Sequence, residues 1–187
     1  ALAVLGASGC GPGAENAADA ENAADTEKLI GFAETAIDQG RLPFAVGQLK
    51  EVIAREPDNA RARWLLGKVS LEAGNYASAA KELRRASELG IAIDAVQPLL
   101  VRALLMAGEY DEAIQFPRSD SLTAESEANV LATQGLAWLG KGQGDLARAR
   151  LARAEAQDPD SSYIRTAKAA LVLAEGDGAE ARRLLEA

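Results

Sequence analysis

Glycine recurs along this chain at Gly40, Gly74, Gly108, Gly142 and Gly176, each 34 residues after the last. A fixed period of this length restricts the fold to a stack of like units, because a unit so small cannot bury its apolar side without a neighbour. Alanine keeps the same period at Ala45, Ala79, Ala113, Ala147 and Ala181, and leucine at Leu49, Leu83, Leu151 and Leu185. Pro117 alone interrupts the leucine series. Pro57 and Pro159 share another phase, in the similar turns Glu-Pro-Asp-Asn and Asp-Pro-Asp-Ser.

Each recurring residue type suits one part of a helical hairpin. Glycine stands where a first helix must stop and reverse, at a backbone conformation that a Cβ disfavours. Alanine one turn into the second helix lets two antiparallel helices approach closely, and leucine four residues on shares its face. Ala86 and Ala154 extend that face. Proline then forbids continuation, and a nearby Asp or Asn can cap the next helix. Composition agrees: aromatic residues make up only 4 % of the chain, and the abundant Ala, Leu, Glu and Arg lose little rotamer freedom in a helix.

The second unit, NARARWLLGKVSLEAGNYASAAKELRRASELG, places Trp64, Leu66, Gly67, Gly74, Tyr76, Ala79, Leu83 and Ala86 at or within one residue of the positions that define the tetratricopeptide (TPR) repeat. The first unit resembles that repeat through Phe32, Gly40, Ala45, Leu49 and Pro57. The fourth does so through Gly135, Trp138, Gly142, Ala147, Leu151, Ala154 and Pro159. This resemblance spans 26–187 and implies an all-α fold, an α-solenoid of about five TPR hairpins in a right-handed superhelix. The units are 26–59, 60–93, 94–127, 128–161 and 162–187. The third is irregular, with Pro98 early in its first helix and its second helix cut short at Phe116-Pro117. A distorted hairpin and a local change of superhelix direction are expected there. The fifth stops inside its second helix, with Leu184 and Leu185 uncovered, which reads as a truncated chain.

Ahead of the repeats, residues 1–10 read ALAVLGASGC, small and apolar up to the single cysteine. The run is too short to span a bilayer and looks like the tail of a secretory signal peptide. Ala7, Ser8, Gly9 and Cys10 resemble the bacterial lipobox, which implies lipid attachment at the Cys10 thiol; Gly11 after it leans toward the outer membrane. An incidental cysteine in a leader is the plainer alternative. A phosphate-binding loop is disfavoured, since no Lys-Ser/Thr follows GASGCGPG. The segment 11–25 contains AENAAD twice and is expected to be an acidic tether, with a short frayed helix as the alternative.

The chain offers little to catalysis. It has no histidine, and its one thiol lies in the leader, which removes the Ser-His-Asp triad and imidazole metal sites. Asp111 and Glu112 are adjacent and do not face one another on a helix. Lys141, in Gly-Lys-Gly-Gln-Gly, is explained by the hairpin turn at Gly142. No enzyme activity, cofactor, metal or small-molecule substrate is expected. Nor is nucleic acid, given a net charge of -8 without a basic cluster.

In TPR proteins the first helix of each repeat lines an inner groove. That register brings Arg61, Trp64, Lys68, Glu72, Arg102 and Asn129 to the groove, with Arg61, Lys68 and Arg102 forming a basic strip suited to a carboxylate or acidic peptide. Trp64 and Trp138 are read first as core residues and only second as anchors for a partner. Lipobox, tether and the EPDNARARWLLGKV junction together resemble the TPR lipoproteins of the PEP-CTERM system (PrsT type). The resemblance implies a lipid-anchored envelope scaffold facing the periplasm, binding other envelope proteins or peptide segments in exosortase-linked protein export or exopolysaccharide assembly. The alternatives are a soluble periplasmic or cytoplasmic adaptor, or the non-catalytic part of a larger enzyme.

Overall fold

The computed structural model describes residues 12–117 and 119–186, with side chains from residue 21 onward. Every element among them is an α-helix, and the helices pair in chain order. The first hairpin is α1 (Pro12–Asp38) with α2 (Leu42–Arg55), and the second is α3 (Ala60–Glu72) with α4 (Tyr76–Glu88). The third is α5 (Ile93–Ala107) with the short α6 (Tyr110–Gln115). The last two are α7 (Ala124–Gly140) with α8 (Gly144–Gln157), and α9 (Ser162–Ala174) with α10 (Gly178–Glu186).

All five periodic glycines close a first helix with φ between 69 and 93°. At each, the amide after the glycine reaches back five residues to a helix carbonyl: Arg41 to Ala36, Asn75 to Ser70, Glu109 to Leu104, Gln143 to Trp138 and Asp177 to Val172. These are Schellman turns, which satisfy the carbonyls a helix end leaves orphaned while reversing the chain. Second helices stop differently. Proline follows α2 and α8, whereas α4 ends at Glu88 and the chain turns at Gly90, also at positive φ, with Ile91 N returning to the Ala86 carbonyl as in the first-helix turns. Between the first two repeats Asn59 caps α3 through Ala62 N at 2.9 Å.

The periodic alanines fill the space inside each hairpin. Ala45, Ala79, Ala113 and Ala147 are fully buried, as are Leu49 and Leu83, with Leu151 1 % exposed. Close approach has a second requirement on the facing helix. A Cβ on Gly67 would stand 2.6 Å from Leu83 Cγ, and one on Gly135 2.9 Å from Leu151 Cγ. In the third repeat the leucine position is taken by Pro117, which lies exposed, and the glycine position by Val101, which is fully buried. The larger side chain takes the room that the absent leucine leaves.

The third hairpin departs from the others. Counted from α4, its second helix would run to residue 122, but α6 stops at Gln115. Gln134 stands where Leu66 and Leu100 stand in the two preceding repeats, and its buried amide lies 3.2–3.4 Å from the carbonyls of Ala113, Ile114 and Phe116. Gln97, 1 % exposed, donates to the Pro117 carbonyl at 2.7 Å. Two buried glutamines thus satisfy the backbone of the curtailed helix. Pro98 lacks the N–H that would bond the Asp94 carbonyl, and Ser126 Oγ reaches that carbonyl instead at 3.4 Å. The Asp94 carboxylate accepts from Thr123 N and Oγ1 at 2.8 and 3.0 Å, tying the returning chain to the start of α5. The Thr123 amide, followed by Ser126, holds this carboxyl below its ordinary pKa.

The acidic segment expected to be a tether is helical from Pro12 and runs unbroken into the first hairpin. Residues 14–30 contain neither glycine nor proline, and the AENAAD copies are half alanine, so intrinsic propensity carries the helix upstream. Thr26 anchors it, 3 % exposed and donating to Glu56 Oε1 at 2.5 Å. That bond, with one from Asn59 Nδ2 at 2.8 Å, depresses the Glu56 pKa.

Replacing Gly67 by alanine is expected to destabilise the protein by about 1–2 kcal/mol in denaturant unfolding, because crowding of Leu83 outweighs the better helix propensity. In Gly67→Ala/Leu83→Ala the loss should be smaller than the sum of the single losses. Strict additivity would show that the two side chains do not compete for one space.

Candidate functional site

The first helices α3, α5, α7 and α9 lie side by side and present two adjoining depressions. One, of about 250 Å³, is bounded by Lys68, Glu72, Tyr76, Leu99, Arg102 and Met106. The other, of about 220 Å³, is bounded by Pro98, Leu99, Arg102, Asn129, Thr133 and Tyr163. They share Leu99 and Arg102, so the surface runs continuously across three repeat junctions. Four of the six groove residues expected from sequence register, Lys68, Glu72, Arg102 and Asn129, line it.

The cations on this surface are held by aromatic rings. Lys68 Nζ lies 4.9 Å from the centroid of the Trp64 ring, and Arg102 Cζ lies 5.8 Å from that of Tyr163. Among the described residues neither pairs with a carboxylate. A ring face orients a cation without cancelling its charge. Tyr163 in turn shares a hydrogen bond of 2.9 Å with Thr133 Oγ1. Burial pushes its phenol pKa up, against the opposing effects of Thr133 and the Arg102 charge, so it is protonated at neutral pH. Met106 is 47 % exposed on the same surface and offers an adaptable apolar contact.

The other two expected groove residues sit elsewhere. Arg61 bonds Glu34 at 2.6 Å and Glu27 at 3.1 Å, both on α1, which leaves its charge matched between repeats. Register placed Arg61 on the correct helix but said nothing of the acids opposite. Trp64 is half-buried between the first and middle core clusters, and its Nε1 donates to the Ala95 carbonyl at 3.2 Å. It supports Lys68 from beneath. Trp138 packs on the last core cluster. Sequence reasoning missed Tyr163 and Leu99, because aromatic and aliphatic residues near helix starts read as core.

The carboxylates that raised the question of acid–base chemistry are engaged with cations of neighbouring repeats. Asp111 takes Lys141, and Glu112 takes Arg84. Among the described residues no group of three or more Cys, Asp or Glu side chains is arranged to hold a metal ion. Nor is any helix there long and apolar enough to cross a membrane. Cys10 and the lipobox lie outside the described residues.

Residues 30–92 match the family model of the tetratricopeptide repeat. No curated protein sequence matches the chain. Among solved structures, MamA of Desulfovibrio magneticus RS-1, from residue 41 to its end, superposes with a TM-score of 0.64 at 16 % identity, over 86 % of this chain and 91 % of that one. A thermophilic TPR protein of Thermus thermophilus gives a TM-score of 0.64 at 19 % identity, over 85 % and 87 %. YrrB, described as a TPR protein with an unusual peptide-binding site, gives 0.62 at 19 % identity, over 91 % and 88 %. Residues 30–92 carry the sequence signature of the tetratricopeptide repeat, and the chain shares the fold of the TPR solenoids over most of its length.

Proposed function

We propose that the chain is a protein-binding scaffold whose first-helix surface receives an extended, acidic segment of a partner. The observation that carries this reading is the continuous pair of depressions sharing Leu99 and Arg102, with two cations that no carboxylate of the described residues neutralises. Such a surface suits a segment alternating carboxylates with apolar side chains: charge sets the register and Leu99 and Met106 take the apolar contacts. The peptide-binding site named for YrrB, a protein of like fold, supports it. The lipobox-like Ala7–Cys10 supports attachment to the bacterial envelope, with the outer membrane favoured and the repeats facing the periplasm. Within the envelope, the resemblance to PEP-CTERM-system lipoproteins points to partners in protein export or exopolysaccharide assembly.

Lys68→Glu/Arg102→Glu should reduce recovery of partners from envelope extracts by roughly tenfold or more, with the helical circular dichroism spectrum retained. Undiminished recovery by the folded variant would remove this surface from the account. Lipid attachment is tested separately: labelling with a fatty-acid analogue should mark the full-length protein and be lost in Cys10→Ser. A label that persists in that variant, or a protein that never takes it up, would exclude the anchor.

A further inference from the structure

The curtailed α6 leaves a second opening, of about 190 Å³, between it and α8. It is separate from the surface just described: Glu127 and Leu131, on its wall, lie across α7 from Asn129 and Thr133. The walls are apolar, from Ile114, Phe116, Leu122, Val130 and Leu131, while Arg150 and Arg153 of α8 stand at one side.

Comparison along the period shows why these arginines have no carboxylate partner among the described residues. Two repeats earlier, Arg150 corresponds to Glu82 and Arg153 to Arg85. Glu82 is satisfied inside the protein by Arg63 at 2.6 Å, both side chains being largely buried. The residue matching Arg63 is Leu131, so Arg150 faces an apolar wall. Arg85 pairs with Asp58 at 2.6 Å and Glu88 at 2.8 Å. The residues matching these two acids are Ser126 and Ala156, so the fourth repeat keeps the cation and lacks both anions. Glu127 also lines the cleft, yet neither arginine pairs with it or with any other carboxylate of the described residues. A different observation points to the same place. Gln97, 1 % exposed and lining the cleft, uses its Nε2 on Pro117 while its Oε1 has no hydrogen-bond partner among the described residues.

We infer that this cleft is a second docking site, which takes a short segment of a partner protein bearing a carboxylate beside a branched apolar side chain. The apolar side chain enters between Ile114, Leu122 and Leu131 in the place left by the missing end of α6. The carboxylate meets Arg150 and Arg153, which a neutral segment would leave uncompensated. An N–H of the segment gives Gln97 Oε1 the donor it lacks. The chain's net charge of -8 makes the local cationic pair selective, since an anionic segment is repelled from most of the remaining surface.

The test is a methyl-NMR titration of the protein with acetyl-Leu-Glu-Leu amide, with acetyl-Leu-Gln-Leu amide and sodium acetate as comparisons. The acidic peptide should give saturable shifts at the methyls of Ile114, Leu122, Val130 and Leu131, with an affinity on the order of millimolar for so small a probe. The glutamine peptide and acetate should bind roughly tenfold more weakly or not at all. Arg150→Glu/Arg153→Glu should abolish the shifts. Ala156→Glu restores to Arg153 the i+3 acid that Arg85 has, leaves both arginines in place, and should weaken the probe as well. The inference is overturned by no saturable shift, by equal binding of the glutamine peptide or acetate, or by undiminished binding to folded Ala156→Glu. Shifts confined to Leu99 and Met106 would also overturn it, while leaving the first-helix surface as the docking site.

Discussion

The structure depends on close approach between the two helices of each hairpin, and everything else adjusts to keep it. Alanine in the second helix and glycine, alanine or valine in the first set how near the axes come, and leucine fills what remains. Because interiors are packed as densely as organic crystals, a displaced methyl group is felt at once. The left-handed glycine makes this contact repeatable: it reverses the chain in the same geometry five times and closes the helix carbonyls without help from side chains. Hairpins repeating at one period then shield one another's apolar sides, and Lys68 and Arg102 of the first helices are left without a carboxylate partner among the described residues.

The third repeat shows how the arrangement tolerates a break. Losing the end of α6 exposes backbone carbonyls and removes a core leucine, each a cost of several kcal/mol if left unanswered. Both are answered locally. Val101 replaces glycine where the leucine has gone, and Gln97 and Gln134 bond the stranded carbonyls. A repeat that had merely decayed would not show larger and more polar residues at the two places that need them. The interruption thus opens the outer layer, and α5 packs closely against α7 beside it.

Much of this was legible in the sequence, for a physical reason. Turn conformation and hairpin contact act on single residue types at fixed separations, so the five glycines and five alanines announce the fold directly, and Pro98 and Pro117 mark the irregular unit. Register alone gives the helices that carry Lys68, Glu72, Arg102 and Asn129, which line the two depressions. Side-chain partners across repeats did not: Arg61 is matched by Glu27 and Glu34 on a helix whose angle no period reveals. The upstream reach of α1 was also hidden, because alanine-rich acidic segments are equally compatible with helix and with a loose chain until something like Thr26 pins one end. Gln134 carried a readable signal, a polar residue where Leu66 and Leu100 stand.

Left-handed glycines fix the geometry of the hairpins. Semisynthetic protein carrying either L-alanine or D-alanine at Gly74 tests it most directly, because the two residues differ only in the sign of φ they favour. The account predicts that L-alanine lowers stability by about 1–2 kcal/mol in thermal or denaturant unfolding, while D-alanine preserves or raises it. Equal effects of the two enantiomers, or better tolerance of the L form, would contradict it.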